Sequence, residues 1–134
     1  MRAILSAALF DAAYQKARYR VAFGLYLGAL IVGSIPGARA DMGKYASGLV
    51  LHSSGYAILT VLLFSGRPGT PLGRATSAVL TVMLMGAIDE KIQTFFPYRH
   101  GSVIDWLVDC AAAVLTALVL WAFWPKAGPA HLKQ

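Results

Sequence analysis

The chain has 134 residues, 57% of them hydrophobic and only 13% charged, with a single cysteine. Soluble domains carry about 25% charged residues, so an ordinary water-soluble fold is excluded, and Cys110 has no second cysteine with which to form an internal disulfide scaffold. The net charge of +6 does not read as a nucleic-acid footprint, because the basic residues fall at the ends of apolar runs, the pattern of membrane topology.

Residues 1–19 carry Arg2 ahead of a brief apolar run and contain no convincing cleavage site. They are expected to form an interfacial amphipathic extension rather than a cleaved leader. Two uncharged stretches follow, one between Arg20 and Arg39 and one between Lys44 and Arg67. Each is long enough for the roughly 20 residues a membrane span requires. The later stretches, after Arg74 and before Lys126, are too short unless they take in their acids. Extended to 75–96 and 103–124, they contain Asp89, Glu90, Asp105 and Asp109 and stop at Pro97 and Pro125. A bilayer admits no lipid-exposed irregular chain. The sequence therefore predicts an all-α membrane domain over 20–125, an antiparallel bundle of four transmembrane helices near 20–35, 46–65, 75–96 and 103–124. A short disordered tail is expected over 126–134.

Orientation follows from the bases. With the N-terminus inside, the cytoplasmic side holds Arg2, Lys16, Arg18, Arg20, Arg67, Arg74, Lys126 and Lys133, against Arg39, Lys44, Lys91 and Arg99 outside. The positive-inside rule then puts both termini in the cytoplasm. The Gly24/Gly28 spacing reads as a packing contact within the bundle, and Trp106, Trp121 and Trp124 as an interfacial belt. Cys110 reads as a small packing residue.

The rise of 1.5 Å per residue sets the depth of the polar groups. His52 stands about 22 Å from Arg67, Glu90 about 24 Å from Arg74 and Asp109 about 25 Å from Lys126. Three ionisable groups on three helices thus reach one level, near the outer edge of a core about 30 Å thick. Tyr56, Gln93 and Asp105 lie one turn from them. Ionisable residues at such depth are costly, face the bundle interior and mark functional sites. Arg99, in a short loop, is expected to fold back and pair with Glu90 or Asp105.

The run Glu90, Gln93, Phe95, Pro97, Arg99, Ser102, Asp105 resembles the signature of the VanZ-like membrane proteins, Glu-x-x-Gln-x-Phe-x-Pro-x-Arg-x-x-Ser-x-x-Asp. His52 and Tyr56 fit that family's His-x-x-x-Tyr pattern on the preceding helix, so the resemblance covers roughly residues 45–120. Two departures stand out: Gly48-Leu49 occupies the place of a frequent Asp-Lys, and Asp109 the place of a frequent Asn. The family is named for a bacterial accessory protein linked to teicoplanin resistance. The resemblance implies a small envelope protein of the bacterial cytoplasmic membrane with a site at His52, Glu90, Gln93, Arg99 and Asp105.

Two functions follow as expectations. In the first, the protein binds a membrane lipid, a lipid-linked envelope precursor or a glycopeptide at the outer leaflet. Arg99 and His100 would contact an anionic head group, Tyr56, Gln93 and Ser102 its polar atoms, and His52, Glu90 and Asp105 would complete the site. In the second, it is an intramembrane hydrolase or transferase with Glu90 or Asp109 as general base and His52 as partner or general acid. The set His52, Glu90, Asp105 would suit a divalent metal. Nothing resembles a nucleophile elbow or a phosphate-cradling glycine loop, and no cofactor is expected. Envelope proteins or further copies of the chain are the protein partners such a bundle would take; nucleic acid is not.

Overall fold

A computed structural model describes residues 10–125, the side chain of Arg39 excepted. The regular structure of these residues is entirely helical. A 3-10 turn, Ala12–Tyr14, leads into α1 (Gln15–Gly33), then a short α2 (Ala38–Gly43), α3 (Gly48–Ser65), α4 (Pro71–Gln93) and α5 (Val103–Phe123). By length and composition α3, α4 and α5 are fit to cross a membrane. α1 carries Lys16, Arg18 and Arg20 in its first two turns, which interrupts its apolar character. Positions 1–9 of the expected interfacial segment, and the tail expected over 126–134, lie outside the described residues.

The helix starts are set by hydroxyl caps that take up an orphan amide. Ser47 Oγ accepts from the Val50 amide at 3.3 Å, Thr70 Oγ1 from Gly73 at 3.1 Å, and Ser102 Oγ from Asp105 at 3.2 Å. Thr70 followed by Pro71 is a strong helix-start pair, since proline at the first helical position loses no bond. The third long helix therefore begins at 71 rather than 75. It ends at 93 rather than 96, where the chain tightens into a turn with the Thr94 amide on the Lys91 carbonyl at 3.2 Å. The short α2 was not anticipated. It follows Gly37, whose φ of +84° lies in the left-handed region that glycine tolerates, and it carries an exposed ion pair, Lys44 Nζ to Asp41 Oδ1 at 2.6 Å.

The first helix also starts early, at 15 rather than 20, so part of the expected interfacial extension belongs to α1. Arg18, 6% exposed, explains this. Its Nε and Nη2 donate to the Ser65 carbonyl at 3.1 and 2.8 Å, and Nη2 also donates to the Asp11 carbonyl at 3.0 Å. Ser65 is the last residue of α3, where orphan carbonyls and the negative end of the helix dipole favour a cation.

The core is built from Ala22, Tyr26, Tyr56, Leu59, Leu63, Phe64, Ala78, Val82, Met85 and Ala113. α5 packs on both α3 and α4, α3 on α4, and α1 on α3. Ala78, Ala113 and Ala117 are buried at these seams, where small side chains let helices approach. Leu72, Leu80, Leu84, Ile104 and Leu115 are all more than half exposed, an outward apolar surface that suits hydrocarbon and not water. One packing expectation fails. A Cβ on Gly24 or Gly28 would meet nothing within 4 Å, so that face of α1 is no helix seam. Trp106, expected in an interfacial belt, donates its indole N–H to the Met83 carbonyl of α4 at 2.9 Å.

Arg18→Ala removes charged donors from a buried helix-terminal carbonyl and should cost about 2 kcal/mol. Reversible unfolding in detergent micelles checks this, with Arg18→Lys, which cannot fork between two carbonyls, falling between the two. Unchanged stability of Arg18→Ala would contradict the role given to this clamp.

Candidate functional site

His52 lies in the second turn of α3, Glu90 in the last turn of α4 and Asp109 in the second turn of α5. The chain brings the three together: one donor atom from each lies within 4.8 Å of the others. His52 Nδ1 stands 3.0 Å from Asp109 Oδ1, and Asp109 is fully buried. Asp109 lies on the same stripe of α5 as the buried Ala113 and Ala117, four and eight residues on, so its carboxylate is delivered into the seam by the helical period. Its Oδ2 packs against the Cα of Gly86, where an added Cβ would come within 3.2 Å of it.

Glu90 ties the end of α4 to the start of α5. Its Oε2 accepts the Ser102 amide at 2.5 Å, and Gln93 Nε2 approaches its Oε1 at 3.4 Å. Ser102 therefore contributes its backbone N–H, with its hydroxyl committed to capping α5. Gln93 is 2% exposed. Asp105 stands in the first turn of α5, one turn nearer the helix start than Asp109. The set that converges is thus His52, Glu90 and Asp109, and not the set with Asp105 that would have suited a metal. Asp105 is on the same stripe, four residues before Asp109.

Tyr56 donates its hydroxyl to Asp89 Oδ2 at 3.3 Å, and Tyr26 donates to the Met85 carbonyl at 2.8 Å. Asp89 and Tyr26 were not anticipated. The signal for Asp89 was its place beside Glu90, since successive helical residues point about 100° apart; two adjacent acids on α4 therefore address two different neighbours.

Arg99 corrects the expected ion pair. Among the described residues it pairs with neither Glu90 nor Asp105. Its Nη1 donates to the carbonyl of Gly33, the last residue of α1, and Tyr98 donates its hydroxyl to the neighbouring Ser34 carbonyl at 2.6 Å. The loop between α4 and α5 is thereby fastened to the C-terminus of α1, where a cation is favoured, while Glu90 is already held by Ser102. A Cβ on Gly33 would lie 2.9 Å from Nη1, so glycine makes the approach. Arg99 Nε is buried without a partner. His100 is exposed and takes no part in the cluster.

A cavity of about 360 Å³ opens between α1 and α3. Its walls are mostly apolar, with Leu25, Leu30, Leu51 and Leu59, while His52, Tyr56, Asp89 and Arg99 supply the polar lining. No family model, curated protein or solved structure matches the chain.

Removing one member of the His52–Asp109 pair leaves the other buried without its partner, which costs about 3 kcal/mol. His52→Ala and Asp109→Ala should each destabilise strongly, and the double variant by about 1 kcal/mol or more less than the sum of the two. A double-mutant cycle of unfolding in micelles reads this coupling; additive effects would show that the two side chains do not meet.

Proposed function

We propose that the protein is a VanZ-like multi-pass protein of the bacterial cytoplasmic membrane that holds a lipid-linked envelope component at the outer leaflet. In this reading α1 crosses the bilayer with α3, α4 and α5 as an antiparallel four-helix bundle, and both termini are cytoplasmic. The observation that carries it is the cavity between α1 and α3, apolar along its walls with a polar lining from His52, Tyr56, Asp89 and Arg99. That is the shape of a site for an amphipathic molecule, a chain against leucines and a head group against donors.

The state of Arg99 supports this. Its guanidinium is held by a neutral carbonyl and not by a carboxylate, so its charge is not neutralised by a pairing, and its buried Nε is a donor without an acceptor. A guanidinium fork suits a phosphate oxygen pair better than an ammonium does. Tyr56 and His52 add hydrogen-bonding groups beside it, and Leu25, Leu30 and Leu59 receive the prenyl or acyl chain.

Native mass spectrometry of the protein in mild detergent with undecaprenyl phosphate tests the site. One lipid should bind, and Arg99→Gln, which keeps a donor for Gly33 but removes the charge, should weaken binding by about tenfold. Gly55→Trp should do the same by filling the cavity, which Gly55 lines with open space above its Cα. Binding that both variants leave unchanged would overturn the assignment. The topology is read separately with an impermeant maleimide in a Cys110→Ala background: His100→Cys should label from outside and Pro68→Cys should not. The reverse pattern would invert the bundle.

A further inference from the structure

We infer that His52, Glu90 and Asp109 form a binding site for one divalent transition-metal ion of the zinc or manganese class, open toward the cavity through His52. Three helices deliver one nitrogen and two carboxylate donors whose ligating atoms lie within 4.8 Å of one another. The His52–Asp109 separation of 3.0 Å matches the edge between two ligands at right angles on bonds of about 2.1 Å, as in six-coordinate manganese, and is about 0.4 Å short of the edge of a tetrahedral zinc site. A Glu90 oxygen lies within 4.8 Å of the other two ligand atoms, and to complete the triad it has to move inward while Glu90 keeps or gives up the Ser102 amide.

Charge leads to the same place. Among the described residues, neither Glu90 nor Asp109 has a Lys or Arg partner. Both are buried. If both ionise, two carboxylates in a buried seam beside one imidazole leave negative charge without a cation, and burying that charge is costly unless it is paired or coordinated. A dication with two carboxylates and a neutral imidazole is electroneutral.

The unpartnered atoms point to a cation independently. The buried side-chain atoms of the cluster that lack a partner are both oxygens, Asp109 Oδ2 and Gln93 Oε1. Asp109 is 0% and Gln93 2% exposed, and the Gln93 amide lies against Glu90. The cluster is thus short of donors and rich in acceptors, the imbalance a metal ion resolves. One imidazole with carboxylate and amide oxygens suits zinc or manganese, whereas magnesium and calcium take oxygen ligands alone. Three protein ligands with one side open to a cavity is the arrangement that leaves a coordination position for an exchangeable ligand.

The test uses the full chain in detergent micelles, stripped with chelator, reloaded with Zn²⁺ or Mn²⁺, desalted and analysed for metal by mass spectrometry. The wild type should retain about one equivalent. Glu90→Gln and Asp109→Asn, checked for helix content, should lose retention by about tenfold or more. Asp41→Asn, which changes an exposed carboxylate on α2, should leave it intact. Electron spin-echo spectroscopy of the Mn²⁺-loaded wild type should show coupling to one imidazole nitrogen, a reading that does not depend on any variant folding. No retained metal in the wild type, a spectrum without histidine nitrogen, or full retention in a folded Glu90→Gln protein would each overturn the site. None of these readouts uses a lipid, so the outcome is separate from that of the cavity assignment.

Discussion

Two carboxylates, Glu90 and Asp109, have to be kept away from hydrocarbon, and most of the fold follows from how that is done. A charged side chain inside a span is costly even toward its outer end, so both face the seam between α3, α4 and α5. The seam receives them because the positions beside Asp109 are small. Ala113 and Ala117 continue the Asp109 stripe on α5, and Gly86 on α4 leaves room for the carboxylate itself. His52 closes the pair from α3, and the Ser102 amide holds Glu90 where α5 begins. Polar contacts across three helices inside an apolar bundle thereby fix helix rotation, which leucine packing alone would leave loosely defined.

α1 is held differently. It is fastened at both ends by an arginine on a helix-terminal carbonyl: Arg18 on Ser65 at the end of α3, and Arg99 on Gly33 at its own end. Between these clamps Ala22 and Tyr26 are buried in the core and Tyr19 and Leu30 pack against it, while there is open space above the Cα atoms of Gly24 and Gly28. A helix pinned at its termini and only lightly packed along its length forms one wall of an open cavity. The polar cluster and the cavity share His52, so whatever occupies the cavity meets the chemistry of the cluster at that side chain.

The sequence carried the convergence of His52, Glu90 and Asp109 because depth is a linear count from the flanking bases, and a helix converts residue number into height without ambiguity. It carried the three apolar helices for the same reason. It did not carry what each side chain would bond. Arg99 was expected on a carboxylate because opposite charges are visible in a sequence, whereas the orphan carbonyls at the end of α1 are not. Asp105 and Asp109 share a stripe, and which of them meets His52 depends on where α5 begins, a matter settled by the Ser102 cap. Asp89 was passed over for its neighbour Glu90, although one residue's rotation is what lets it reach Tyr56. The early start of α1 rests on Arg18 reaching Ser65, a contact across nearly fifty positions that no local pattern reveals.

The most direct measurement of the central claim is the distance between the His52 ring and the Asp109 carboxylate in a lipid bilayer. Solid-state NMR of the protein labelled with ¹⁵N-histidine and ¹³C-aspartate, with His100 and His131 replaced so that His52 is the only histidine, reads it by dipolar recoupling. The account predicts a dephasing curve for Nδ1 and the Asp109 carboxyl carbon consistent with a contact under about 4 Å, lost in Asp109→Asn prepared without ¹³C-asparagine. A His52 ring showing no dipolar coupling to any aspartate carboxyl, in a bundle that is otherwise intact, would contradict it.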